Sequence, residues 1–166
     1  MIVVSDTSPI LSMALIGRLD LLHDLYRSIV IPEAVRAERV TTDQVGVQDV
    51  AAADWISTHP IEPDATFKLL LREIDRGEAE AIALAVQTKA DVLLIDERKA
   101  RRVAAYLDLH VVGLLDVLPA AKQQHLISSV KPILDELMTR ARFRVSHKLY
   151  QRTLQSTGEL DHAHPA

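Results

Sequence analysis

Cysteine is absent from the 166 residues. Its absence excludes disulfide frameworks, thiolate metal sites and thiol nucleophiles, and it suits a reducing compartment, so a cytoplasmic location is expected. Long apolar runs are missing as well. None approaches the ~20 residues of a membrane span, and no basic segment precedes a signal-like apolar stretch, so neither membrane insertion nor export is expected. Two Phe, three Tyr and one Trp are too few for broad base-stacking platforms. The five glycines form neither Gly-x-Gly-x-x-Gly nor a P-loop, and no serine stands in a Gly-x-Ser-x-Gly setting, which removes dinucleotide-binding, P-loop and serine-hydrolase readings.

What remains is ordinary globular composition, 48% apolar and 25% charged, at a length that suits one domain. The net charge of −4 looks unfavourable for a nucleic-acid partner, but it is unevenly spread. Residues 1–97 hold 8 Lys/Arg and 17 Asp/Glu, a net of −9, whereas residues 98–152 hold 11 against 4, a net of +7.

Ile2-Val3-Val4-Ser5 reads as a buried strand closed by Asp6-Thr7-Ser8-Pro9, with Ser8 as the N-cap of a following helix and Pro9 at its first position. Residues 28–31 form the next strand and Pro32 starts a helix over 33–39. Residues 40–53 suggest a short helix and 55–58 a strand. A helical pattern over 65–88 is expected to break at Gly77. Val92-Leu93-Leu94-Ile95 is continuously apolar, as in a parallel strand buried on both faces. A basic helix over 97–107, a strand at 110–112 and helices over 114–124, 132–141 and 146–154 complete the chain. The expected architecture is a three-layer α/β/α sandwich with a mainly parallel sheet of four to five strands and extra C-terminal helices. One domain is expected over 1–154, with 155–166 as a flexible tail.

In such sheets ligands gather outside the carboxyl ends of the strands, where the winding direction reverses. Asp6 and Asp96 each follow a strand. On neighbouring strands, about 4.8 Å apart, their carboxylates would share a crevice and repel unless a cation neutralised them. Oxygen donors without Cys or a His-rich motif suit Mg²⁺ or Mn²⁺ rather than Zn²⁺. Helices add Glu38, Glu78 and Glu80. Singly, each of these acids also suits a plain structural role, an Asp after a strand as a helix cap and a Glu as a solvated helix residue.

Together, Asp6-Thr7-Ser8-Pro9, Ile31-Pro32-x-x-Val35-x-x-Glu38, Gly77-Glu78-Ala79-Glu80-Ala81-Ile82-Ala83-Leu84-Ala85 and Leu93-Leu94-Ile95-Asp96-Glu97-Arg98 resemble the PIN-domain superfamily. More closely, they are similar to a prokaryotic branch related to VapC toxins of type II toxin–antitoxin pairs. The resemblance spans residues 1–122. It implies Asp6 as the first family acid, Glu38 as the second, Glu78 or Glu80 as the third and Asp96 as the fourth, acting in catalysis and metal binding. Thr7, Ser8 and Glu97 would support them. Glutamate at the third position departs from the Asp more usual in the toxins and carries its carboxylate one methylene further out.

The resemblance implies an Mg²⁺- or Mn²⁺-dependent endoribonuclease that hydrolyses RNA phosphodiester bonds, neutralised by a small antitoxin and assembled as a homodimer. Clustered carboxylates would hold one or two ions that activate water and stabilise charge on phosphate. Arg98, Lys99, Arg101 and Arg102 follow Asp96 directly and would meet the RNA backbone, although helix faces of this kind are also often only solvated or ion-paired. The alternative is a PIN-like nucleic-acid-binding or regulatory module with weak or no nuclease activity. Phosphatase and receiver readings fail because Asp6 lacks the second Asp two residues on and the acidic pair before it.

Overall fold

The structure is a computed structural model and describes residues 1–33 and 46–160. The elements run β1 (Val3–Ser5), α1 (Thr7–Leu15), α2 (Leu19–Tyr26), β2 (Ile29–Pro32), α3 (Val47–Ala52), β3 (Ile56–His59), α4 (Ala65–Glu73) and α5 (Arg76–Thr88). Then follow β4 (Val92–Leu94), α6 (Arg98–Tyr106), β5 (Val111–Val112), α7 (Leu114–Gln123), α8 (Lys131–Thr139) and α9 (His147–Ser156). Glu38 and most of the helix expected over 33–39 lie outside the described residues.

The five strands form one parallel sheet in the order β3-β2-β1-β4-β5. Alternation along each strand divides the core in two. Val3, Ile29, Ile31, Val92 and Leu94 pack on one face against Ile10 and Met13 of α1, Leu21 and Leu22 of α2, and the C-terminal helices. Val4, Leu93 and Ile95 pack on the other against Phe67 and Leu70 of α4, Ala79 to Ala85 of α5, and Ala100 and Ala104 of α6. This is the three-layer α/β/α sandwich expected, and strands buried on both faces explain why their sequences are apolar runs rather than alternations. The alanines of α5 let that helix lie close to the sheet.

Local boundaries differ in instructive ways. The helix after β1 begins at Thr7, two residues earlier than expected: Asp6 is its N-cap, in extended conformation, and Ser8 falls inside the first turn. The 65–88 pattern breaks at Ile74–Asp75, not at Gly77, because Ile74 is extended and Asp75 starts a new helix in which Gly77 is the second residue. The last helix continues to Ser156. Beyond it Glu159, expected in a loose tail, accepts hydrogen bonds from the Val130 and Lys131 amides at 2.9 and 3.0 Å and from Lys122 Nζ at 3.0 Å. No helix among the described residues is long and apolar enough to cross a membrane.

Candidate active site

The chain winds outward from β1 to β2 and β3, then returns to place β4 on the other side of β1. The winding reverses between β1 and β4, and their carboxyl ends carry Asp6 and Asp96. Register brings them together: Ser5 pairs with Leu94, and the Asp6 amide donates to the Leu94 carbonyl at 2.9 Å. Continuing that register by one residue sets Asp6 opposite Ile95, next to Asp96. Asp6 is buried, at 7% exposure.

Asp96 is held from the β5 side. The Ile95 amide donates to Val112 O at 3.0 Å, and the first amide of α7, on Leu114, donates to Asp96 Oδ1 at 2.8 Å. Its second oxygen, Oδ2, is buried and has no hydrogen-bond partner among the described residues. Burial pushes the Asp96 carboxyl up to about 6. The Leu114 amide and the Arg101 guanidinium pull it down, and the negative charges of Asp6 and Asp116 push it up again.

The N-terminal end of α5 closes the opposite side. A side chain at Gly77 would put its Cβ 3.9 Å from Asp6 Oδ1, so the first turn of α5 lies against Asp6. Glu78 is half-buried and its carboxyl is pushed up to about 7, first by burial and then by the charges of Glu97 and Asp6. It also accepts from the Asp75 amide at 3.3 Å. Glu80, two residues on, is bound to its own helix: it is 4% exposed and its Oε1 accepts from Arg76 Nε at 3.0 Å. Of the two glutamates that the motif leaves open, Glu78 is the one electrostatically tied to Asp6.

Glu97 is the N-cap of α6, with Oε2 accepting from the Ala100 amide at 2.7 Å. Thr7 is partly buried and Ser8 exposed in the first turn of α1. Arg98, Lys99 and Arg102 are exposed, and none forms an ion pair with a described residue. Arg101 differs: its Nη1 donates to the Ile95 carbonyl at 3.1 Å and its Nη2 lies 3.4 Å from Asp116 Oδ2. It braces the end of β4 rather than projecting into solvent.

Two residues near the site escaped sequence reasoning. Asp116 caps α7 by accepting from the Gly113 amide at 2.8 Å; burial, and then the charge of Asp116, push the Tyr26 phenol up to about 12. Gly113 leaves the room that Asp96 and Arg101 occupy, since a Cβ there would stand 2.8 Å from Asp96 Oδ1 and collide with the Arg101 guanidinium. A glycine followed three residues later by an acid is a helix-start signal and could have flagged both.

Among the described residues, no three Asp, Glu, His or Cys side chains gather closely enough to hold a metal as a ready cage. The donors nevertheless fit a hard cation. Mg²⁺ commonly keeps several waters and takes only one or two carboxylates, and the buried, unbonded Asp96 Oδ2 beside Asp6 is an acceptor in need of positive charge.

A family model described as PIN domain matches residues 2–159, and the chain belongs to that family. PIN domains are generally nucleases, so the fold is of nuclease type. No curated protein and no solved structure gives a significant match.

Proposed function

We propose that this protein is an Mg²⁺- or Mn²⁺-dependent endoribonuclease, the toxin of a type II toxin–antitoxin pair. The observation that carries this reading is the meeting of Asp6 and Asp96 at the winding reversal of the sheet, with Asp96 Oδ2 buried and unbonded among the described residues. Asp6, Asp96 and Glu78 would hold the ion, together with Glu38. A bound cation there supplies Lewis acidity toward the phosphodiester and activation of water for in-line attack. The chain's own contribution is preorganisation: Leu114 and Arg101 fix Asp96, and the β1–β4 register fixes Asp6. Glu78 adds a carboxylate whose charge, disfavoured first by burial and then by Glu97 and Asp6, a cation would neutralise. Exposed Arg98, Lys99 and Arg102 beside the acids supply phosphate attraction.

The toxin role rests on the resemblance to VapC-related proteins. Leu69 and Leu71, exposed on and near the outer face of α4, suit a second copy of the chain, and the antitoxin is a further partner. A weak or regulatory PIN-like module is the second reading. It is favoured by the lack of a ready three-acid cage among the described residues and by Glu80 being committed to Arg76.

The test incubates purified protein with a mixed RNA pool and Mn²⁺ or EDTA, beside Asp6→Asn and Asp96→Asn. Cleavage by wild type alone, abolished by EDTA, is expected. Equal cleavage by wild type and both variants would remove the assignment, and metal binding without cleavage by any of them would support the regulatory module.

A further inference from the structure

Asp116, in the first turn of α7, belongs to none of the motifs that mark the site acids, yet one of its oxygens serves two groups beside Asp96. Oδ2 accepts from the Gly113 amide at 2.8 Å and lies 3.4 Å from Arg101 Nη2. The first bond sets the start of α7, whose Leu114 amide holds Asp96 Oδ1 at 2.8 Å. The second bears on a cation at the edge of the site. Arg101 Nη1 donates to the Ile95 carbonyl at 3.1 Å, and a Cβ at Gly113 would touch both the guanidinium and Asp96 Oδ1, so the cation stands beside the Asp96 carboxylate. Among the described residues, however, its ion pair is with Asp116 and not with Asp96.

Coulomb attraction alone would favour the other pairing. Asp96 Oδ2 is buried and has no hydrogen-bond partner among the described residues, and water screens a pair there less. The Asp116 side chain is 55% exposed, where an ion pair contributes little. Glu97, four residues before Arg101 on α6, is occupied with the Ala100 amide. The guanidinium is instead divided between the Ile95 carbonyl and Asp116, which leaves Asp96 Oδ2 unpaired. Paired with Asp96, it would place a fixed positive charge on the carboxylate that a divalent cation needs.

We propose that Asp116 is a positioning residue that draws Arg101 off Asp96 and so keeps that carboxylate open to a divalent cation. The inference rests on the cation reading above and adds a control on the same site. Held by Asp116, Arg101 braces the end of β4 through a backbone carbonyl. Released from Asp116, it finds beside it an unsatisfied carboxylate. Asparagine is the informative replacement at 116, because its side-chain oxygen still accepts from the Gly113 amide while the charge that holds Arg101 is gone.

The test reads Mn²⁺ affinity by electron paramagnetic resonance for Asp116→Asn in two backgrounds, wild type and Arg101→Gln. Asp116→Asn is expected to weaken Mn²⁺ binding roughly ten-fold in the wild-type background. With Arg101→Gln present it should change little, since no guanidinium remains to be diverted. An equal loss in both backgrounds overturns the proposal and leaves Asp116 as a helix cap or a distant charge, and no loss in either overturns it too. A metal-free arm measures the coupling between Arg101→Gln and Asp96→Asn by urea denaturation in EDTA, with and without Asp116→Asn. The coupling should grow when Asp116→Asn releases the guanidinium, and an unchanged coupling overturns the proposal. A coupling that grows in a protein that binds no Mn²⁺ supports the diversion of Arg101 and removes only the cation reading. The expected Mn²⁺ pattern in a protein that cleaves no RNA supports the proposal and removes only the nuclease reading.

Discussion

Asp96 accepts a 2.8 Å hydrogen bond on Oδ1 from the Leu114 amide, while its Oδ2 is buried and unbonded among the described residues. One oxygen is satisfied by the start of α7, and the other is left without a partner in a carboxyl that burial and the nearby charge of Asp6 push up. This half-satisfied carboxylate sets the pH and cation behaviour expected of the protein.

The first expectation concerns pH without metal. Asp96 and Glu78 are pushed up to about 6 and about 7, so the folded protein holds more protons than the unfolded chain between about pH 4 and 7. Their contribution to stability is therefore present at low pH and lost as pH rises through that window. Melting in EDTA from pH 5 to 7.5 should show Asp96→Asn gaining about 3 °C over wild type at the upper end and flattening the slope. Glu78→Gln should do the same to a smaller extent, because solvent screens its half-exposed carboxyl. Parallel pH curves for wild type and Asp96→Asn would contradict the raised carboxyl.

Cation binding should relieve that repulsion. At about 100 times its dissociation constant, Mn²⁺ would stabilise the fold by ~2.7 kcal/mol, or roughly 5–10 °C for a domain of this size. Asp6→Asn, Asp96→Asn and Glu78→Gln should reduce the shift, and Glu80→Gln should keep it. A shift sensitive to Glu80 and indifferent to Glu78 would reverse the choice between them.

Gly113→Ala separates site geometry from fold. The backbone there, at φ −114° and ψ 176°, admits any residue. The added methyl would stand 2.8 Å from Asp96 Oδ1 and displace Arg101. Overpacking of this kind costs about 1–3 kcal/mol, and displacing Asp96 should lower RNA cleavage about ten- to hundred-fold. Thermal melting and cleavage rates measured together check both, and a variant of unchanged activity would show that Asp96 tolerates the shift.

Glu159 should behave in the opposite sense to the site acids. Burial alone would push its carboxyl up, but hydrogen bonds from the Lys131 and Val130 amides, Lys122 and Thr157 hold it near 2. Its stabilisation is present above the ordinary glutamate range and lost as pH falls toward 2. Glu159→Gln should cost about 1.5–3 kcal/mol at pH 7 by urea denaturation, with the difference shrinking below about pH 4. A pH-independent difference would show that packing, not charge, holds the end of the chain.

Much of this was legible in the chain. Val92–Leu94 reads as a strand because a strand buried on both faces needs apolar residues at every position. Helix starts were less legible, since Asp6, Ser8, Asp75 and Gly77 all carry start or break signals, and the end of the preceding element decides which one acts. Asp6 and Asp96 stood out as acids after strands. Glu78 and Glu80 could not be separated, because two residues on a helix differ by about 200° in direction, and only the packing of α5 decides which of them meets Asp6.

The sequence by itself determined the order and type of the elements, the two-sided burial of the strands and the concentration of acids before residue 98 and of bases after it. These depend on neighbours along the chain and on side-chain periodicity. Only the tertiary structure decided that β4 lies beside β1, that Leu114 and Arg101 converge on Asp96, and that Arg101 turns inward. Burial, repulsion between carboxylates and hydrogen bonding act through space over a few ångströms, and residues 6, 78, 96 and 114 come within that range only after the sheet has formed.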